Sequence, residues 1–301
     1  MIRTQAALQA AISEALLHAS VHLDADLVHA LDTMHAETER ELQAVQHDDE
    51  RYAPYAASLE VLDMIRENLH IAEETGLPMC QDTGMIIAFV SIGPDAPFSM
   101  HDLQQAIMAG ASDAVQRGFF RKSVVTDPVF ERRNTETNLP PIIHWFPSER
   151  SGVTIQFMLK GFGSENCSSL TMLNPTAGEQ AVVRTVVQRV REAGGKPCPP
   201  IVVGVGLGGT AERASQLAKL ALFRPVGAAH PEPQYEQLER RIEEAVQELS
   251  IGPGGFGGPL TALGVSVEYE PTHIAGLPVA VAISCWADRR AVVKIAGVNH
   301  A

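Results

Sequence analysis

The chain has 301 residues, 45% hydrophobic and 20% charged, enough to bury one large core or two smaller ones. Its net charge of −13 and the lack of any basic run longer than two residues argue against nucleic acid or a membrane surface as partner. No apolar run approaches the roughly 20 residues that span a bilayer, and the start, MIRTQAALQAAISEALLHAS, lacks a signal-peptide pattern. The expected location is therefore cytoplasmic, and the four cysteines are not expected to form a disulfide framework.

Residues 1 to about 48 read as helix, with Leu8, Ile12 and Leu16, then Leu27, Leu31 and Met34, at three- and four-residue spacing. Asp24 or Asp26 would cap the second piece. Residues 53–74 repeat the pattern through Leu59, Leu62, Ile65 and Leu69, and Gly76 is the expected C-cap. The period then changes: Met85–Ile92 is a continuous apolar run of strand length. Ser99 is placed to cap a helix reaching about Arg117. Residues 142–146 and 153–159 read as strands around a turn at 147–152.

A helix over 177–193 ends at Gly194 and Gly195, and a buried strand follows at 200–205. Helices over 211–222 and 233–249 come next, then strands over 262–269, 279–284 and 291–295. The glycine- and proline-rich stretch IGPGGFGGPL, 251–260, is the expected flexible loop. The fold class expected is α/β (mixed α+β). A mostly helical N-terminal layer over 1–76 is followed by mixed β-sheets flanked by helices over 77–301, the whole forming a single domain.

Chemistry concentrates in LPMCQDTG, 77–84, where Cys80, Gln81, Asp82 and Thr83 stand in a row between a helix pattern and an apolar strand. Of the other cysteines, Cys198 lies in KPCPP before a strand, and Cys285 ends an apolar strand and precedes WADRR. None is paired as C-x-x-C, which excludes a zinc ribbon or a thioredoxin-like motif. Thiolates at element ends can converge on one soft metal centre; unrelated buried thiols are the alternative reading. Gly204, Gly206 and Gly209 spell the dinucleotide pattern G-x-G-x-x-G. The helix after them leads to Phe223-Arg224-Pro225 rather than to a strand ending in an acid, so close packing against a helix or a metal centre is the favoured use.

CQDTG, KGFGSEN at 160–166, CPPIVVGVGLGG at 198–209, LFRPVG at 222–227, PTHIAGLPVAV at 271–281 and SCWADRR at 284–290 occur in order along most of the chain. Together they resemble the alpha part of iron–sulfur (class I) fumarate hydratases and the related L-tartrate dehydratase alpha subunits. The resemblance implies a [4Fe–4S] cluster on Cys80, Cys198 and Cys285, with one iron left open as a Lewis acid. Cys167, in SENCSS, falls outside the three ligand motifs. The resemblance also implies that Gln81, Asp82, Arg121 and Gly163 bind substrate and that His273 and Asp82 are catalytic. Arg121 suits a substrate carboxylate because its guanidinium offers a planar fork of donors. Asn134 is a weaker candidate. Where the family's loop reads KGGGSEN, this chain has Phe162 in place of the middle glycine.

Single-chain relatives carry a further domain after SCWADRR that supplies the base and further cationic residues. The expectation is therefore an alpha subunit that works with a beta subunit, as α2β2, on a small dicarboxylate. The implied reaction is reversible hydration of fumarate to (S)-malate; L-tartrate or a related hydroxy-diacid is the alternative substrate. A cluster-bearing subunit without catalysis of its own is the reading from another class.

Overall fold

The computed structural model describes residues 2–298. In chain order the elements are α1 (Gln5–Val21), α2 (Ala25–Ala44), α3 (Tyr52–Thr75), β1 (Met85–Ile92), α4 (Met100–Arg117), β2 (Ile142–Pro147) and β3 (Val153–Lys160). The short α5 (Phe162–Glu165), β4 (Ser169–Leu173), α6 (Gly178–Ala193), β5 (Ile201–Gly209) and α7 (Ala211–Ala221) follow. Then come α8 (Pro233–Gln247), β6 (Ala262–Thr272), β7 (Leu277–Ser284) and β8 (Arg289–Ile295). The fold is mixed α/β, with two four-stranded sheets, and no described helix is long and apolar enough to cross a membrane.

Two compact units share the chain. The first takes the described residues of Met1–Leu23, Asn68–Phe162 and Ala287–Ala301. Its sheet has the order β2-β1-β3-β8. The two strands that flank 147–152 are not neighbours, contrary to the expectation of strands folded around that turn. β1 lies between them, parallel to β2 and antiparallel to β3. A parallel pair needs a crossover, and α4 supplies it between β1 and β2. α4 starts at a capping box, in which the Ser99 hydroxyl accepts from Asp102 N while the Asp102 side chain accepts from Ser99 N. The apolar stripe Leu8, Ile12 and Leu16 of α1 is fully buried with Leu103, Ile107 and Ala111 of α4 and with Ile155 and Phe157 of β3. Each of the leucine, isoleucine and phenylalanine side chains contributes about 1.5–3 kcal/mol by leaving water.

The second unit comprises Asp24–Glu67 and Gly163–Trp286. Its sheet runs β4-β7-β5-β6, and β4 was not anticipated from the sequence. Strand alternation explains the glycine pattern. Val203 and Val205 pack with Val186 of α6 and Ile242 of α8. Gly204 and Gly206 lie on the alternate positions, against α7. A Cβ on Gly206 would come within 2.0 Å of the Ala214 carbonyl oxygen, and one on Gly204 within 2.1 Å of that of Ala218. All three glycines of the pattern lie inside β5. They seat a helix on the sheet and do not form a phosphate turn.

Candidate active site

The CQDTG segment follows α3 and is held at its start through the Met79 backbone. Met79 N donates to Ser20 O over 2.9 Å, and Asn68 Nδ2 donates to Met79 O over 2.8 Å. Cys80 is half-buried, with Sγ 3.8 Å from the exposed Gln81 Oε1. Asp82 closes the turn: Oδ1 accepts from Gly84 N at 3.1 Å and Oδ2 from Phe162 N at 2.8 Å. Phe162, the departure from the family loop, thus uses only its backbone here and keeps its ring exposed. Gly84 has φ +83, and a Cβ on it would lie 2.6 Å from the Lys160 carbonyl carbon. The glycine is required both by the backbone conformation and by this approach.

The first unit also buries charge. Lys160, Asp288 and Arg289 are each 1% exposed and Arg290 is 6%. Asp288 Oδ2 lies 3.7 Å from Arg290 Nε. Thr83 Oγ1 and all three guanidinium nitrogens of Arg289 are buried without a hydrogen-bond partner among the described residues. The sequence reading missed this layer. Its one legible signal is the charged run DRR leading into the apolar AVV of a strand.

Arg121 is exposed, in the segment between α4 and β2. Its carbonyl accepts from Asn138 Nδ2 at 2.7 Å, while Asn138 Oδ1 accepts from Ser123 N at 2.7 Å. Asn134 Nδ2 donates to Lys122 O at 2.7 Å. Both asparagines brace the loop that presents Arg121.

In the second unit Cys198 is exposed and holds φ +55, with its N–H donating to Gly195 O over 3.1 Å. Gly254 N donates to Pro199 O over 2.8 Å, so the 251–260 loop is tied to the cysteine segment. Gly163 meets the same segment: a Cβ there would lie 3.5 Å from Lys196 O. Cys285 is half-buried just past the end of β7. Cys167 is 2% exposed inside the apolar core, where Sγ donates to Gly163 O over 3.4 Å. His273 sits exposed in the turn between β6 and β7, and its Nδ1 accepts from Ala275 N at 3.1 Å. The neutral ring therefore carries its proton on Nε2. Two other motif residues are structural. Glu165 pairs with Lys219 at 2.5 Å, and Arg224 donates to Val267 O at 3.1 Å and to the buried Glu239.

None of the four cysteines is in a disulfide. Among the described residues no three His, Cys, Asp or Glu side chains gather to hold a single metal ion. A multi-iron cluster binds each thiolate through a different iron, so its ligands stand farther apart than those of one ion. The donor chemistry fits such a group: Cys80, Cys198 and Cys285 are all reachable, whereas Cys167 is sealed in the core.

The family model for fumarate hydratase (Fumerase) matches residues 9–294. The chain belongs to the fumarate hydratase family. A relative from Methanocaldococcus jannaschii, named putative L(+)-tartrate dehydratase subunit alpha, is 38% identical over 290 residues, covering 94% of this chain and 96% of the relative. The L(+)-tartrate dehydratase subunit alpha of Escherichia coli K12 is 31% identical over 231 residues, 76% of each chain. As a fumarate hydratase family member, the chain keeps CQDTG and SCWADRR inside the matched span.

Proposed function

We propose that this chain is the alpha-type subunit of a cytoplasmic hydro-lyase that interconverts (S)-malate with fumarate and water, with Cys80, Cys198 and Cys285 holding a [4Fe–4S] cluster. The observation that carries this reading is the sorting of the thiols. The three in family motifs are accessible, and the fourth is packed into the core. When bound, the cluster supplies a Lewis-acidic iron that turns hydroxide into a feasible leaving group. In dehydration the C–O bond at the hydroxyl carbon breaks and the neighbouring carbon loses a proton. The electron pair of that C–H bond becomes the new C=C bond, and hydroxide and proton leave as water.

This chain's residues bind and orient. Arg121, exposed on its braced loop, takes a substrate carboxylate in a forked hydrogen bond. Gln81 and the Gly163 N–H supply neutral polar contacts. Asp82 fixes the turn through both oxygens and keeps a lone pair on each for substrate. His273 holds a proton at Nε2 for the departing oxygen. The group that removes the carbon-bound proton belongs to a beta subunit, in an α2β2 assembly, and the whole chain acts as one catalytic domain in this reading.

The test is anaerobic purification of the chain with its partner subunit, iron and sulfide analysis, and a fumarate hydration assay. About four irons per chain with turnover is the expected result; no iron after strict anaerobic reconstitution sinks the reading. The names of the two relatives favour a second substrate, L-tartrate, which would lose water to give oxaloacetate. Comparing kcat/KM for (S)-malate and L-tartrate decides between them. A loaded cluster without turnover of any hydroxy-diacid would point to a non-catalytic subunit.

A further inference from the structure

Arg289 opens β8 and is 1% exposed. Its Nε, Nη1 and Nη2 have no hydrogen-bond partner among the described residues. Desolvating a guanidinium without acceptors is unfavourable, and native folds leave few such groups without a reason. The side chain is aimed at the CQDTG turn. Arg289 Nη2 and Asp82 Oδ2 lie 3.5 and 3.4 Å from the point where a Cβ on Gly161 would sit, so both face that side of Gly161. Asp82 is two residues from Cys80. Asp82 is thus the carboxylate that shares this side of Gly161 with the guanidinium.

We infer that Arg289 is a positioning residue, a buried counter-cation for the cluster anchored by Cys80. The inference rests on the proposed cluster. An iron–sulfur core held by three thiolates carries net negative charge, and net charge is among the factors that set its reduction potential. Burial decides how Arg289 acts. At 1% exposure no ion reaches the guanidinium without displacing its cover, so it works through its field in a poorly screened interior.

The test uses the complex of this chain with its partner subunit, reconstituted anaerobically, and an EPR-monitored redox titration of the cluster. Arg289→Met should lower the midpoint potential, because removing a positive charge favours the oxidised form. Arg289→Lys keeps the charge and should stay close to the wild type. Melting of the cluster-free chain adds a second readout. Arg289→Met should melt at or above the wild-type temperature, since an unsatisfied buried charge has gone, whereas a merely structural arginine would lower it and leave the potential unmoved. If Arg289→Met does not accumulate, Arg289→Gln takes its place. A folded, iron-loaded neutral variant with the wild-type potential overturns the inference. So does a raised KM for the dicarboxylate at unchanged potential, which would give the guanidinium to substrate. Absence of iron from the wild type overturns the cluster reading itself, and the role of Arg289 with it.

Discussion

Cys198 is exposed and stands at φ +55, a conformation that a non-glycine residue adopts at some cost. A cysteine placed there for packing would be buried, as Cys167 is. Cys198→Ser should therefore leave the fold intact, by circular dichroism, and reduce iron from about four per chain to below one, with activity lost in parallel. Retention of iron by the serine variant would refute the ligand assignment. Gly84 is sensitive for a different reason, since both its φ and its approach to the Lys160 carbonyl exclude a side chain. Gly84→Ala should cost about 2–4 kcal/mol in urea denaturation, and it should disturb the turn that carries Cys80 and Asp82.

Among the elements, α8 buries Leu238, Ile242 and Val246 and carries a titratable burden beside them. Burial pushes the Glu243 carboxyl above its ordinary value of 4.5, and the neighbouring carboxylates of Glu239 and Glu244 add to the shift. The folded state then holds this proton more tightly than the unfolded chain does. The stability it contributes is complete below the unfolded value of 4.5 and is lost as pH rises through the elevated folded value. Glu243→Gln removes that loss. Its urea midpoint should exceed the wild type at pH above the shifted value and converge with it towards acid; equal midpoints at neutral pH would contradict the burial argument. Elements with a complete local signal were legible in the sequence. The Ser99 capping box starts α4, and Met85–Ile92 is β1 to the residue. β4 has only five residues, with Leu170 and Met172 exposed, so its pattern never reached the strength of a buried strand.

For the molecule as a whole, the net charge of −13 leaves anion binding to a few local cations, Arg121 foremost in the proposed reading. The relatives are named as alpha subunits. This chain alone should therefore turn over no hydroxy-diacid even when iron-loaded, and adding the partner subunit should restore activity. Turnover by the isolated, loaded chain would show that the proton-removing base is its own.

The sequence by itself determined the family, the helix and strand periods and the three motif cysteines, because these rest on local spacing and on residue types that chemistry restricts. It did not determine which strands are neighbours: 147–152 looks like a turn between partners, yet the pairing of β1 with both flanking strands is a long-range choice. It favoured close packing over a phosphate turn for Gly204 and Gly206 but left a helix and a metal centre as equal neighbours, since either calls for the same missing side chain; the packed structure sets them against α7. Only the tertiary structure showed that Lys160, Asp288, Arg289 and Arg290 are each buried. A charged residue reads as surface until folding removes its water, and that removal is a property of the packed chain rather than of any local stretch.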